Sequence, residues 1–366
     1  MKRYLNKALL YKEWKSVKWL SIMFLFQVSL QLIVPFINNV QYLKKSINRG
    51  EYKYGEYEYF FTSFFRNNRA EIEFTVITLI IIGTFIVGMD IMGRRYDTIG
   101  SMPFKREEII ITKWIVAALT TIIPIFLSFV IIKIMYLCNK DILSPYINGN
   151  IIEQWALINS LTYLFIISFI MFIQTLLGKN ILGGIIGSIF LLLPLGLGVL
   201  IRGFTEIMTY NPEVFTRDGY NNFINEMDRF FSNISLGFYN NENIGFNLSI
   251  YKRELILAIS IIIVLVLMVY SFKNLPFERI GYVVIYRPLE LILKIGVSVC
   301  FGLVGGTIAS GFISSYYELY RVVNSNNIKE YLPVIDKAIS LTVLIALLCG
   351  CIVYVVTGKI IEANKK

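Results

Sequence analysis

The sequence predicts an all-α fold: a polytopic integral membrane helical bundle of about eight transmembrane helices, with both termini cytoplasmic. Three observations carry that prediction. Hydrophobic residues make up 56% of the chain and charged residues only 16%, at a mean hydropathy of +0.62. Soluble domains hold about 25% charged residues, so this chain lacks the polar surface to coat a globule. Several apolar runs reach the roughly 20 residues that cross a hydrocarbon core of about 30 Å as a helix. The runs are continuous rather than alternating, which excludes a transmembrane β-barrel.

The expected spans cover residues 17–37, 74–92, 109–136, 155–177, 181–201, 255–272, 289–313 and 338–356. Only Gly178, Lys179 and Asn180 separate the fourth from the fifth, which makes them a tight helical hairpin. Charge sets the orientation. With the N-terminus inside, the inner segments are the stretch before the first span, Arg94 to Lys113, Lys179, Lys273 to Lys294, and the tail. They hold more than half of the 35 Lys and Arg but under a third of the 25 acidic residues. Short inner loops rich in Lys and Arg are the mark of a cytoplasmic face. The same asymmetry accounts for the net charge of +10 without a nucleic-acid partner.

Trp14, Trp19, Trp114 and Trp155 fall at or beside span ends, where indole rings prefer the headgroup boundary. No A-x-A-like site follows the first apolar run, so that run is expected to stay as a span. Residues 38–73 and 202–254 are read as external segments. The first, with "EYKYGEYEYFFTSFFRNNR", suits an interfacial helix or a small aromatic cap. The second suits a surface-lying connector or a substrate-contacting cap.

Several chemistries are excluded. Histidine is absent, which removes Ser-His triads and His-ligated metals together, and the four cysteines lack zinc spacing. No catalytic set, metal or cofactor is expected. No G-x-x-x-x-G-K-[ST] loop is present, so ATP, if used, binds another chain. Acidic residues are nearly missing from the spans, Asp90 near the inner end of the second being the one candidate. Ion-coupled transporters usually carry intramembrane carboxylates. Gln27 and Gln31 share a face of the first span, and Gln174 lies in the fourth. Such amides either bond across helices or line a polar path. Gly183/Gly187 and Gly302/Gly306 have the spacing of close helix approach, Pro124 interrupts the third span, and Lys133 and Lys294 suit snorkelling anchors.

Between the second and third spans lies "TIGSMPFKREEIIITKW", residues 98–114. Pro103 cannot continue a helix, and "KREEIIITK" restarts one with Glu107 and Glu108 in its first turn, where the helix dipole favours anions. The order of Thr98, Ser101, Met102, Pro103, Arg106, Glu108, Ile109 and Lys113, after the basic pair Arg94 and Arg95, resembles the first cytoplasmic loop of type 2 ABC transporter permeases, the exporter-type membrane subunits. The N-terminal "LLYKEWKSVKW" is similar to that family's interfacial helix ahead of the first span. The likeness covers residues 1–272 as a permease-like core. Residues 273–366 add a two-span C-terminal region. Its "FKNLPFERIGYVVIYRPLE" resembles a feature of Gram-positive permeases whose operons respond to cell-wall-active compounds.

The resemblance implies a coupling loop over residues 93–113, with Arg94, Arg95, Thr98, Ser101, Pro103, Lys105, Arg106, Glu107, Glu108 and Lys113 meeting a separate cytoplasmic ABC ATPase. It also implies a second permease copy or a sister permease, a lipid-surrounded bundle in a bacterial plasma membrane, and export or removal of an amphiphilic substrate. Two other classes stay open from the residues alone: a membrane-embedded enzyme acting on lipid-linked substrates, and a membrane sensor or scaffold without transport.

Overall fold

A computed structural model of the chain describes residues 7–50, 54–66, 69–92, 104–211, 216–241, 248–276, 279, 281–319 and 328–363. Its helices are α1 (Lys7–Val28), α2 (Val34–Arg49), α3 (Tyr54–Arg66), α4 (Arg69–Met92), α5 (Arg106–Cys138), α6 (Gly149–Leu176), α7 (Asn180–Thr205), α8 (Arg217–Ile234), α9 (Ile250–Lys273), α10 (Arg287–Tyr316) and α11 (Ile328–Ala363), with short helical turns between some of them. Among the described residues, seven helices are long and apolar enough to cross a bilayer. The eighth expected span lies within α4, a 24-residue helix with the apolar stretch Phe74–Met89. The chain is a helical membrane protein.

The lead-in helix and the first expected span are one object. Residues Lys7–Arg49 form a 43-residue helix, about 65 Å long at 1.5 Å per residue, so it outreaches the 17–37 span at both ends. Pro35 explains the one irregularity in it. A proline ring clashes with the carbonyl four residues earlier and offers no N–H. The chain answers with a π-turn over Ser29–Ile33, where the Val34 N–H reaches back to the Ser29 carbonyl. Gly50, at φ 71°, ends the helix by donating its N–H to the Ile47 and Ser46 carbonyls, a left-handed stop that suits glycine.

The chain divides into two compact units: Met1–Leu191 with Ser235–Gly281, and Leu192–Ile234 with Tyr282–Lys366. The break falls inside α7. The boundary at residue 272 marks where the family likeness ends, and compactness follows a different line.

In the first unit, α6 is the most enclosed helix and packs against α4, α5 and α9. Its polar residues are tied inward: Ser168 Oγ accepts from Trp114 Nε1 at 2.8 Å, and Thr175 Oγ1 donates to Ser271 Oγ at 3.1 Å. Within the tyrosine- and phenylalanine-rich stretch, α3 turns three phenylalanines inward. Phe61, Phe64 and Phe65 of α3 surround Phe36 with ring centroids 5.8 to 6.0 Å away. Phe65 in turn stands edge-on to Trp155 at 5.8 Å. Trp19 is 72% exposed, but Trp155 is only 2% exposed and belongs to the core.

In the second unit, α10 and α11 form a close hairpin. A Cβ on Gly302 would lie 3.0 Å from the Ala346 carbonyl oxygen, so a glycine there sets the helix separation. Ser298 Oγ donates to the Gly350 carbonyl at 2.7 Å. At one end Ile207, Ala309, Ile313, Leu319, Ile335 and Ala338 make a small core. Beside it Asn211 Nδ2 donates to Asp336 Oδ1 at 2.7 Å. Along the rest of the hairpin Ile292, Val299, Phe312, Leu347 and Ile352 are exposed, as suits helices solvated by lipid.

Candidate functional site

The "KREEIIITK" restart is a helix as expected. Lys105, with extended backbone, precedes α5, and Glu107 and Glu108 occupy its first turn. That turn is latched to the end of α9. Arg106 donates from one guanidinium nitrogen to the carbonyls of Lys273 and Leu275, each at 3.1 Å. The last carbonyls of a helix have no intrahelical donor, and a guanidinium supplies one. Beside them Lys273 Nζ lies 2.7 Å from Glu107 Oε1. These side chains are partly exposed, so the latch adds geometric restraint more than stability.

Seven residues further on, Lys113 points into the bundle. Its Nζ donates to Glu13 Oε2 of α1 and to the Ile86 carbonyl of α4, both at 2.7 Å. The two side chains are 2% and 3% exposed. Taking two charges out of water costs several kcal/mol apiece, which only close geometry and further hydrogen bonds offset. Three helices therefore meet at one ammonium group. Lys12 Nζ stands 3.4 Å from the other carboxylate oxygen, Glu13 Oε1, with its own side chain 38% exposed.

Beside the pair is a cavity of about 550 Å³. Tyr11, Lys12, Lys15 and Ser16 of α1 form one wall, Ile86 and Met89 of α4 the other, with Glu13 and Lys113 between them.

Of the residues assigned to the coupling loop, Arg94, Arg95, Thr98, Ser101 and Pro103 lie outside the described residues, as does the side chain of Asp90. Lys105 is exposed, Arg106 and Glu107 are in the latch, Glu108 is half-buried, and Lys113 is core. The glutamines act as helix contacts. Thr78 Oγ1 donates to Gln27 Oε1 at 2.6 Å and Thr75 Oγ1 to Gln31 Oε1 at 3.1 Å, joining the α1–α2 helix to α4. Gln174 instead closes the α6–α7 hairpin, its Nε2 donating to the Lys179 carbonyl at 3.3 Å. Gly183 is small for a local reason: a Cβ there would overlap the Gln174 amide.

Sequence reasoning missed Glu13, although a signal was present. The buried stripe of α1 runs Leu9, Glu13, Val17, Ser21, Phe24 and Val28, so Glu13 interrupts an apolar face at four-residue spacing. A lone acid on such a face asks for a buried cation. A second buried polar cluster lies at the other end of the first unit, where Arg253 donates to the Tyr239 carbonyl at 3.2 Å and Asn240 Nδ2 to Asn159 Oδ1 at 3.0 Å.

Compared with known proteins, the chain matches no family model, no curated protein and no solved structure. The likeness to type 2 permeases rests on the residue pattern around Pro103. The first two turns of α5 are fastened to α1, α4 and α9.

Proposed function

We propose that this chain is the membrane subunit of an ATP-driven, exporter-type transporter in a bacterial plasma membrane, driven by a separate cytoplasmic ABC ATPase. One observation carries the reading. The Ser-Met-Pro-Phe-Lys-Arg-Glu-Glu sequence leads straight into a helix whose first two turns are fastened to α1, α4 and α9 through Lys113, Arg106 and Glu107.

In this reading the segment 93–105 is the contact with the ATPase and α5 is the lever. Closure of the ATPase pair on ATP displaces the start of α5. The Arg106 latch carries the displacement to α9, and the buried ion pair carries it to α1 and α4. The bundle works as a dimer, with itself or a sister permease, and the displacement drives an amphiphilic substrate outward. A floppy loop would dissipate the push; a doubly fastened helix start passes it on.

The test uses Lys105, which is exposed at the start of α5 and outside the latch. The full chain is co-expressed with candidate ABC ATPase subunits and purified through a tag on either partner. Lys105→Glu is expected to reduce recovery of the complex and the transport-coupled ATP hydrolysis, with membrane insertion unchanged. Recovery equal to that of the unaltered chain would overturn the docking assignment.

A further inference from the structure

We propose that the buried polar cluster around Trp155 and Asn240 binds hydroxyl oxygen, supplied by a small polyol or by water. The inference stands apart from the transport reading. A cavity of about 40 Å³ lies between α6, α9 and the turn at Tyr239 and Asn240. One water-sized occupant needs roughly 10–15 Å³, so there is room for about three waters or for a polyol the size of glycerol. Sites for drug-sized molecules are far larger, roughly 300–1,000 Å³.

Two buried groups select the occupant. Trp155 is 2% exposed and Asn240 5%, and both line the cavity. The indole N–H of Trp155 and the amide oxygen Oδ1 of Asn240 have no hydrogen-bond partner among the described residues. Buried polar groups are nearly always bonded, because each one left alone keeps the full cost of its desolvation. Both groups are held in place. Phe65 stands edge-on to the indole at 5.8 Å. Asn159 gives its own amide hydrogen to the Trp155 carbonyl at 2.8 Å, which leaves its Oδ1 as an acceptor. Asn240 must therefore turn Nδ2 toward Asn159, at 3.0 Å, and keep its oxygen for another donor.

The site thus asks for a partner that accepts from an indole and donates to an amide oxygen. A hydroxyl does both. A halide or a ketone only accepts, and an ammonium only donates. Gln154, half-buried on the same wall, carries an amide that can serve a second hydroxyl. Ile151, Ile158 and Ile250 are apolar wall that suits the carbon backbone of a polyol. Arg253, also on the wall, donates to the Tyr239 carbonyl at 3.2 Å and ties the turn to α9.

The experiment uses the full chain in micelles, with isotope-labelled indoles that give one proton–nitrogen NMR peak for each of the four tryptophans. Trp14→Phe, Trp19→Phe and Trp114→Phe assign the Trp155 peak by elimination. Magnetisation transfer from water is read on that peak, and glycerol is then titrated. The Trp155 peak is expected to show water contact and to shift saturably with glycerol. Trp114, whose N–H is held by Ser168 at 2.8 Å, should not shift. A glycerol shift assigns the site to a polyol, and water contact without that shift assigns it to ordered water. Neither signal would overturn the proposal. Acetone and sodium chloride supply acceptors that cannot donate. A saturable shift of the Trp155 peak by either, as large as that from glycerol, would overturn the hydroxyl assignment. Asn240→Leu should remove the glycerol shift, or the water contact where water is the occupant, and an undiminished response would overturn the part given to Asn240. Should that variant fail to fold, the arms on the unaltered chain decide by themselves.

Discussion

Replacing Lys113 by methionine keeps the length of the side chain and removes its charge. The carboxylate of Glu13, 3% exposed, then loses a 2.7 Å partner and keeps only Lys12 at 3.4 Å. Breaking a buried pair from one side costs about 3–5 kcal/mol, because the remaining charge is stranded. Lys12, already close and partly in solvent, should move toward the carboxylate, which places Lys113→Met near the low end, about 3 kcal/mol. Glu13→Leu should cost a comparable amount, because it takes the 2.7 Å carboxylate partner from an ammonium that is 2% exposed. The double variant Glu13→Leu/Lys113→Met leaves neither charge of the pair behind and puts an apolar residue into the buried stripe of α1. It should lie within about 1 kcal/mol of the unaltered chain, as hydrophobic replacement of buried pairs often does.

The cycle therefore predicts a coupling of several kcal/mol between two residues on different helices. Unfolding in mixed micelles, followed by tryptophan fluorescence against denaturant concentration, reads all four proteins on one scale. If the double variant were as unstable as the two single variants added together, the pair would not be coupled. The account of α1, α4 and α5 as one fastened body would then fail.

The remaining predictions follow from smaller contacts. Gln31→Leu should cost up to about 1 kcal/mol by removing the acceptor of Thr75, a usual size for a hydrogen bond between membrane helices. Gln27→Leu should be nearly neutral in the same unfolding assay, because Thr78 keeps the Phe74 carbonyl and the variant removes a buried amide nitrogen that has no partner among the described residues. Gly302→Ala should destabilise by about 1–3 kcal/mol through overpacking against a backbone oxygen that cannot rotate away. Gly296→Ala on the same helix meets nothing within 4 Å and should be neutral or slightly stabilising, which a matched pair of unfolding curves would reveal. Burial holds the Tyr239 hydroxyl above its ordinary 10, with the Arg253 charge pulling the other way. The stabilising effect of the neutral phenol is thus intact below pH 10 and lost as pH rises through the higher folded value. Tyr239→Phe should accordingly lessen the alkaline loss of stability, and the phenolate absorbance of the unaltered chain should show one tyrosine titrating late.

Much of the fold was legible in the residues because the bilayer imposes a simple demand. A segment that crosses it must satisfy its backbone internally and be apolar for about 20 residues, and both requirements are local. The runs at residues 109–136, 255–272 and 289–313 fall inside α5, α9 and α10, and 155–177 overruns α6 by one residue. The three-residue link Gly178 to Asn180 left no alternative to a hairpin. Where local rules compete, the reading was coarser. The first span was expected to end at residue 37, and a π-turn absorbs Pro35 within a helix that runs on to Arg49. Trp155 was read only as a residue beside a span end, and packing against Phe65 buries it. Both outcomes depend on neighbours that periodicity does not specify.

By itself the chain's order of residues determined that this is a helical membrane protein, where a proline and four charges interrupt it, and that α5 restarts with acids in its first turn. Tertiary structure alone decided that Lys113 turns inward to a glutamate 100 residues away and that Arg106 reaches carbonyls 167 and 169 residues away. The reason is physical. Apolar patterning fixes which face of a helix is hidden but leaves open which helix hides it. A buried charge finds its partner only after the helices have chosen their neighbours.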